Sequence, residues 1–337
     1  MKIDTAGMNE DCAGMLALRV FAWNEPPHLE RIALPTAAEG ETLVKIEAAT
    51  VSHLDLTVMT GKFDIQPNLP YVGGTDGAGI VVKSGRFTPG TRVALRGGGI
   101  GLKRDGTWAE YVAVPDSAIR EVPQALSPEL AATVYSPLTT SYVALHDIAQ
   151  MGRWPTGPQK ASGEVVIVTG ASGAVGSVVV QMASRAGAHV IAVVSSEERR
   201  SSVADAAETV ALSDKDKVAK MAEARNATLL VDTVGGPQLR GRIGWVRPGG
   251  RAVLLGYTAG KELMLDIPNW LLSSVALLPV SMLFHEARAR ELIGGLTELV
   301  HDGTLRLNVE SHPLRQPTAA FERLHQGVAR GKVVLRP

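Results

Sequence analysis

The segment that most constrains this chain is Val165-Val166-Ile167-Val168-Thr169-Gly170-Ala171-Ser172-Gly173-Ala174-Val175-Gly176. Its β-branched apolar run predicts a buried strand, and three glycines spaced three apart then lead into a helix. Small residues at such a turn let backbone N–H groups approach a pyrophosphate, which rests on the positive end of the helix. A glycine triplet alone is a weak signal. Here the strand before it, the helix Gly176–Ala186 and the strand His189–Val194 after it together specify a βαβ dinucleotide site. Ser172, Gly173, Ala174 and Val175 are its candidate contacts. The longest uncharged run, Val165–Ser184, has 20 residues. At about 1.5 Å per residue that would span a bilayer, but its glycines, serines and Gln181 suit a strand, loop and helix instead.

The rest of the chain divides by rhythm. Leu16–Phe21, Glu41–Ala48, Gly79–Lys83, Arg92–Leu95 and Ala109–Val114 read as short strands separated by glycine and proline turns. From Ser127-Pro128-Glu129, a helix start, strands alternate with helices: a helix over Ser136–Ala149, one from about Glu197 and one near Pro237–Val246. Strands Leu229–Asp232 and Arg251–Leu255 complete that run, which implies a doubly wound parallel sheet. Met151–Gly163 reads as a surface loop. The tail, Ala319–Gly327 and Lys332–Leu335, is a helix and strand able to return to the first unit.

Lysine plus arginine and aspartate plus glutamate each total 34 of 337 residues. That balance argues against nucleic acid or an anionic membrane as partner. Cys12 is the single cysteine, so no intrachain disulfide or multi-cysteine zinc site can form. Met1–Gly14 has no basic and apolar regions of a signal peptide. A cytoplasmic setting is the expectation.

The end of the second strand discriminates between dinucleotides. An acidic residue about 20 positions after the glycines would hold a ribose 2′-hydroxyl. Here the strand ends in Ser195-Ser196-Glu197-Glu198-Arg199-Arg200. Serine hydroxyls and a guanidinium suit a 2′-phosphate, so NADP(H) is expected, with Arg199 favoured over Arg200. Ser195 and Glu198 also have capping-box spacing.

Taken together, the chain resembles the medium-chain dehydrogenase/reductase superfamily, in its zinc-independent quinone oxidoreductase-like branch. The landmarks, in order, are Gly73-Gly74-Thr75-Asp76-Gly77-Ala78-Gly79, Gly106-Thr107-Trp108-Ala109-Glu110-Tyr111, Thr139-Thr140-Ser141-Tyr142, the glycine loop, Asp232-Thr233-Val234-Gly235-Gly236 and Gly331-Lys332-Val333-Val334-Leu335. The resemblance implies a GroES-like catalytic domain (residues 1–137 and 285–337) and a Rossmann NADP-binding domain (138–284), with the active site between them. It also implies cofactor contacts at Thr140, Val234, Gly256, Tyr257 and Lys332. The positions where zinc-dependent relatives carry catalytic ligands hold Ser52, Thr75 and Ser136, and neutral hydroxyls are poor Zn²⁺ ligands. His53 with Asp55 is the one remaining metal-ligand candidate, and His53 reads instead as a histidine hydrogen-bonded within the first domain.

Without a metal, hydride delivery to a quinone or an α,β-unsaturated carbonyl is the accessible chemistry, because conjugation spreads the developing charge. Ser52, Tyr71, Tyr135 and Thr140 are the candidate catalytic residues, on a small-molecule substrate. Two alternatives stay open: a biosynthetic tailoring reductase for one unsaturated intermediate, and a cofactor-binding protein with little turnover. The loop Arg96–Arg104 is either a mobile lid or a surface turn. Trp270–Phe284, uncharged and apolar, lies where relatives pair their sheets, so a homodimer is expected, the alternative being a strand and helix buried within one subunit.

Overall fold

The structure is a computed structural model that describes residues 14–151 and 163–337. Cys12 and most of the expected loop Met151–Gly163 lie outside the described residues. The chain forms two compact units, one reaching to Val134 and completed by Asn308–Pro337, the other Tyr135–Leu307.

In the first unit the two ends of the chain share one sheet. Lys332–Arg336 runs antiparallel to Glu41–Val51, with Val333 opposite Val51, and parallel to Val309–Pro313. On the other side of Glu41–Val51 come Asp76–Lys83, Arg92–Arg96 and Ile119–Glu121 in turn, while Tyr111–Pro115 pairs with the first half of Glu41–Val51. A separate three-stranded sheet joins His28–Ile32, Met15–Val20 and Tyr71–Val72.

The core of this unit is built around Trp108, which is fully buried. Its indole Nε1 donates to Thr50 O at 2.8 Å and its ring meets Phe321 edge-on at 4.9 Å. Gly73 and Gly74 have to be glycine there: a Cβ on Gly73 would lie 2.3 Å from the indole. The Arg96–Arg104 segment is a pinned turn. Ile100 is buried in the core, Arg96 pairs with Asp76 at 2.6 Å and Arg104 with Glu41 at 2.5 Å. The lid alternative finds no support in those contacts.

The second unit is a six-stranded parallel sheet. Its order is Glu208–Ala211, His189–Val194, Val165–Thr169, Ala227–Asp232, Val246–Leu254 and Ala276–Pro279. Counted along this unit the order is 3-2-1-4-5-6, the doubly wound dinucleotide-binding topology. Every residue of Ala227–Asp232 is buried, as expected for a parallel strand covered on both faces.

Several expectations need correction. The second crossing between units follows Leu307, not residue 284, because helix Glu286–His301 belongs to the parallel-sheet unit, where Arg288 pairs with Asp147 at 3.1 Å. The segment at Glu197–Ser202 is a 3₁₀ turn with no buried residue to anchor a longer helix. The expected helix Pro237–Val246 shrinks to Leu239–Ile243. The helix of Ser136–Ala149 is α over Tyr135–Tyr142 and π over Val143–Ile148. Trp270–Phe284 holds the end of a short helix, Ile267–Ser273, and the edge strand Ala276–Pro279. Among the described residues no helix is long and apolar enough to cross a membrane.

Candidate functional site

In a doubly wound sheet ligands bind beyond the carboxyl ends of the strands, where the strand order reverses. That point lies between Val165–Thr169 and Ala227–Asp232. Gly170 follows the first of these strands at φ +62°, a left-handed conformation that favours glycine. A Cβ on Gly176 would lie 2.3 Å from Gly170 O, so the third glycine lets the helix Ala174–Arg185 seat against the loop. Gly173 is the N-cap of this helix and no side chain caps it. The cradle of Ser172, Gly173, Ala174 and Val175 fits a pyrophosphate.

The wall opposite is set by Asp232, fully buried at the end of its strand. Its Oδ1 accepts from the N–H groups of Val234 (3.1 Å) and Gly235 (2.6 Å), and its Oδ2 from Thr169 Oγ1 (2.9 Å) and Arg242 Nε (2.6 Å). Arg242 Nη2 donates onward to Gly235 O at 2.6 Å. Arg242 was not singled out by sequence; no periodic signal ties it to Asp232. A Cβ on Gly235 would lie 2.4 Å from Gly256 O and 2.9 Å from Tyr257 Cα. Gly256 and Tyr257 thus lie beside Gly235, and Val234 Cγ2 stands 3.0 Å from the Cβ position of Gly170.

At the end of the second strand Ser195 is exposed and Ser196 half-buried. Ser196, not Ser195, begins the 3₁₀ turn, and the Ser195–Glu198 capping box does not form. A hydrogen bond from Ser196 instead holds the exposed Glu198 carboxyl below its usual range. The two arginines point to different partners. Arg199 Nη1 donates to Ser172 Oγ at 3.2 Å, reaching the glycine loop. Arg200 pairs with Glu197 at 3.2 Å and donates to Thr209 O at 2.7 Å.

Thr140 is buried in the helix Tyr135–Tyr142, which packs on Ala174–Arg185; the neighbouring Ser141 Oγ donates to Val175 O at 3.2 Å. Tyr135, a candidate proton donor, is otherwise engaged. Its hydroxyl donates to Glu286 Oε1 at 3.1 Å, and the same oxygen accepts from Arg290 Nε at 2.9 Å.

The first unit gathers a charged group of its own. Ser52 caps the helix His53–Met59 and forms a capping box with Asp55: Asp55 N donates to Ser52 Oγ at 3.4 Å and Ser52 N to Asp55 Oδ2 at 2.8 Å, and Ser52 Oγ also donates to Asp55 Oδ2 at 2.6 Å. The other oxygen of Asp55 accepts from Thr75 N at 2.9 Å. Burial pushes the Asp55 carboxyl up, the Ser52 hydrogen bond opposes this, and the nearby Asp76 adds to the rise. Burial lowers the Lys332 ammonium, which Asp76 and Asp55 partly restore. Burial and Lys332 together lower His53. Burial and the Asp55 charge push the Tyr71 phenol well above its ordinary range, so it stays protonated. Ser52, Tyr71 and Lys332 are therefore brought into one neighbourhood, although the Ser52 hydroxyl is committed to Asp55. Among the described residues no group of three or more His, Cys, Asp or Glu side chains is placed to hold a metal ion.

Comparison with known proteins agrees with both units. The alcohol dehydrogenase GroES-like domain model matches residues 38–124, and the zinc-binding dehydrogenase model matches residues 174–296. A zinc-type alcohol dehydrogenase-like protein of Schizosaccharomyces pombe is 36% identical over 230 residues, 67% of this chain and 65% of that protein. A putative quinone oxidoreductase of Bacillus subtilis, YhfP, is 27% identical over 92% of this chain and 94% of its own. Among solved structures, an NAD-dependent alcohol dehydrogenase superimposes with a TM-score of 0.81 at 26% identity, over 96% of this chain and all of that one (100%). The parallel-sheet unit is a nicotinamide-dinucleotide-binding domain. With the GroES-like unit formed from both chain ends, this places the chain in the medium-chain dehydrogenase/reductase superfamily, in its quinone oxidoreductase-like branch.

Proposed function

We propose that the protein is an NADPH-dependent reductase of quinones or α,β-unsaturated carbonyl compounds and works without zinc. The observation that carries the cofactor reading is the Arg199 guanidinium on Ser172 of the phosphate loop. A cation there suits a 2′-phosphate, and the second strand ends in serine rather than an acid. The backbone of Ser172, Gly173, Ala174 and Val175 holds the pyrophosphate, with the Ser172 hydroxyl turned to Arg199; Ser195, Ser196 and Arg199 hold the 2′-phosphate. Thr140, Val234, Gly256, Tyr257 and Lys332 complete the cofactor contacts.

The bound dinucleotide supplies a hydride, and the protein supplies position, dryness and a proton. Tyr71 is the residue we assign to hydrogen-bond the substrate oxygen as negative charge develops there. Its raised pKa keeps it a donor. The zinc-free reading rests on donor chemistry. Ser52, Thr75 and Ser136 stand at the ligand positions, and the Ser52 hydroxyl already serves Asp55. Naming of the Bacillus subtilis relative as a putative quinone oxidoreductase supports the acceptor class.

The test is steady-state kinetics of Arg199→Ala with both cofactors. KM for NADPH is expected to rise at least tenfold, by loss of a charge-assisted contact worth about 1.5–3 kcal/mol, with NADH unchanged. An equal rise for both would overturn the 2′-phosphate assignment.

We assign a homodimer to the exposed apolar rim of the sheet edge. Leu271, Leu272, Leu283 and Phe284, at 65%, 82%, 79% and 85% exposure, flank the edge strand Ala276–Pro279.

A further inference from the structure

We infer that Ser172 determines cofactor specificity by positioning Arg199, an inference that rests on the reading of Arg199 as the 2′-phosphate ligand. Ser172 sits in the glycine loop and is buried. A loop serine of this kind would ordinarily be read as a contact to the pyrophosphate, which NADPH and NADH share. Its hydroxyl instead accepts a hydrogen bond from Arg199 Nη1 at 3.2 Å.

The turn that carries Arg199 is built to aim it. Ser202 Oγ donates to Arg199 O at 2.6 Å, and Arg199 N donates to Ser196 O at 3.2 Å, which fixes the backbone. The next residue, Arg200, is drawn away by Glu197 and Thr209 O, so the two adjacent guanidiniums are sorted to different tasks. Arginine has many rotamers. Holding its guanidinium in place before the ligand arrives removes that ordering cost from the binding step. Ser172 is suited to this because it is neutral. A hydroxyl fixes the direction of the guanidinium without cancelling its charge, whereas a carboxylate at residue 172 would both neutralise it and repel the phosphates. NADH, with a 2′-hydroxyl, gains little from a guanidinium prepared in this way. The ratio of the two affinities therefore depends on Ser172, through Arg199.

The experiment is calorimetric titration of NADPH and NADH into the full chain carrying Ser172→Ala, Arg199→Ala, both together, or Ser172→Thr. Ser172→Ala is expected to weaken NADPH on the order of fivefold, the size of one net hydrogen bond, while NADH stays within about twofold. Ser172→Thr keeps a hydroxyl and is expected to restore much of the NADPH affinity. The double variant is expected to bind NADPH no more weakly than Arg199→Ala alone, because the two act as one unit. Equal weakening of both cofactors by Ser172→Ala would overturn the proposal and make Ser172 a pyrophosphate contact. So would no change, or additive losses in the double variant. Arg199→Ala separates the two levels. If it leaves the NADPH-to-NADH ratio intact, the underlying 2′-phosphate reading fails. If it lowers the ratio while Ser172→Ala is silent, only the role of Ser172 fails.

Discussion

Asp232 accepts four hydrogen bonds at the end of its strand, and two of its donors, the N–H groups of Val234 and Gly235, belong to the loop that walls the cofactor site. Its partner Arg242 is also buried, so removing the carboxylate leaves a buried cation uncompensated. Asp232→Ala is expected to cost about 3–5 kcal/mol, read as a shift of the urea midpoint, and to weaken both cofactors because Val234 and Gly235 lose their anchor. At the opposite end of the sheet Glu164 accepts from Arg251 Nη2 at 2.8 Å and from the Thr228 hydroxyl. Burial raises its pKa, but those hydrogen bonds outweigh it and the net shift is downward from 4.5. A depressed folded pKa stabilises the protein above the ordinary value and loses that contribution as pH falls through the folded one. Glu164→Gln is therefore expected to cost about 1 kcal/mol at neutral pH. The difference from wild type should begin to shrink as pH falls below 4.5 and be lost as the folded-state carboxyl protonates, read from unfolding curves across that range. A constant difference across the range would contradict the assignment.

Among the elements, the strand–loop–helix around Gly170 was legible because three requirements coincide in one short stretch: a buried strand, a left-handed turn and a close helix approach. Gly176→Ala puts a methyl group 2.3 Å from Gly170 O, a backbone atom that cannot swing aside. It is expected to weaken NADPH and NADH alike by pushing the helix off the loop. Gly241, in the helix Leu239–Ile243, has nothing within 4 Å of its Cβ position. Gly241→Ala is expected to stabilise by about 0.5–1 kcal/mol without changing either affinity. Thermal unfolding and cofactor titration of the pair decide both. Edge strands were less legible. Glu208–Ala211 and Ala276–Pro279 have four residues each and are only partly covered, too short for a clear period. Two of the candidate hydroxyls, those of Ser52 and Tyr135, also carry hydrogen bonds to carboxylates, and these differ in how visible they are in the sequence. Ser52 three residues before Asp55 is a capping pattern visible in the sequence, whereas the partner of Tyr135, Glu286, lies 151 residues away.

For the whole molecule, the return of the C-terminal strand to the first sheet and the balanced charge were both readable, because each follows from the order and number of residues. The second domain boundary was misplaced, since the helix Glu286–His301 is assigned by tertiary contacts at Tyr135 and Asp147 that leave no local trace. Light scattering of the wild type is expected to give twice the chain mass, and Leu272→Asp with Phe284→Asp to give the monomer. A wild-type monomer would contradict the assigned sheet-edge interface. The central claim, a metal-free NADPH-dependent reductase, is met most directly by following NADPH oxidation with one quinone and one enone, each with and without a strong chelator. The expected result is turnover of at least one acceptor, faster with NADPH than NADH and indifferent to the chelator. Turnover that the chelator abolishes and zinc restores would contradict the account at Ser52, Thr75 and Ser136, and a preference for NADH would contradict it at Arg199.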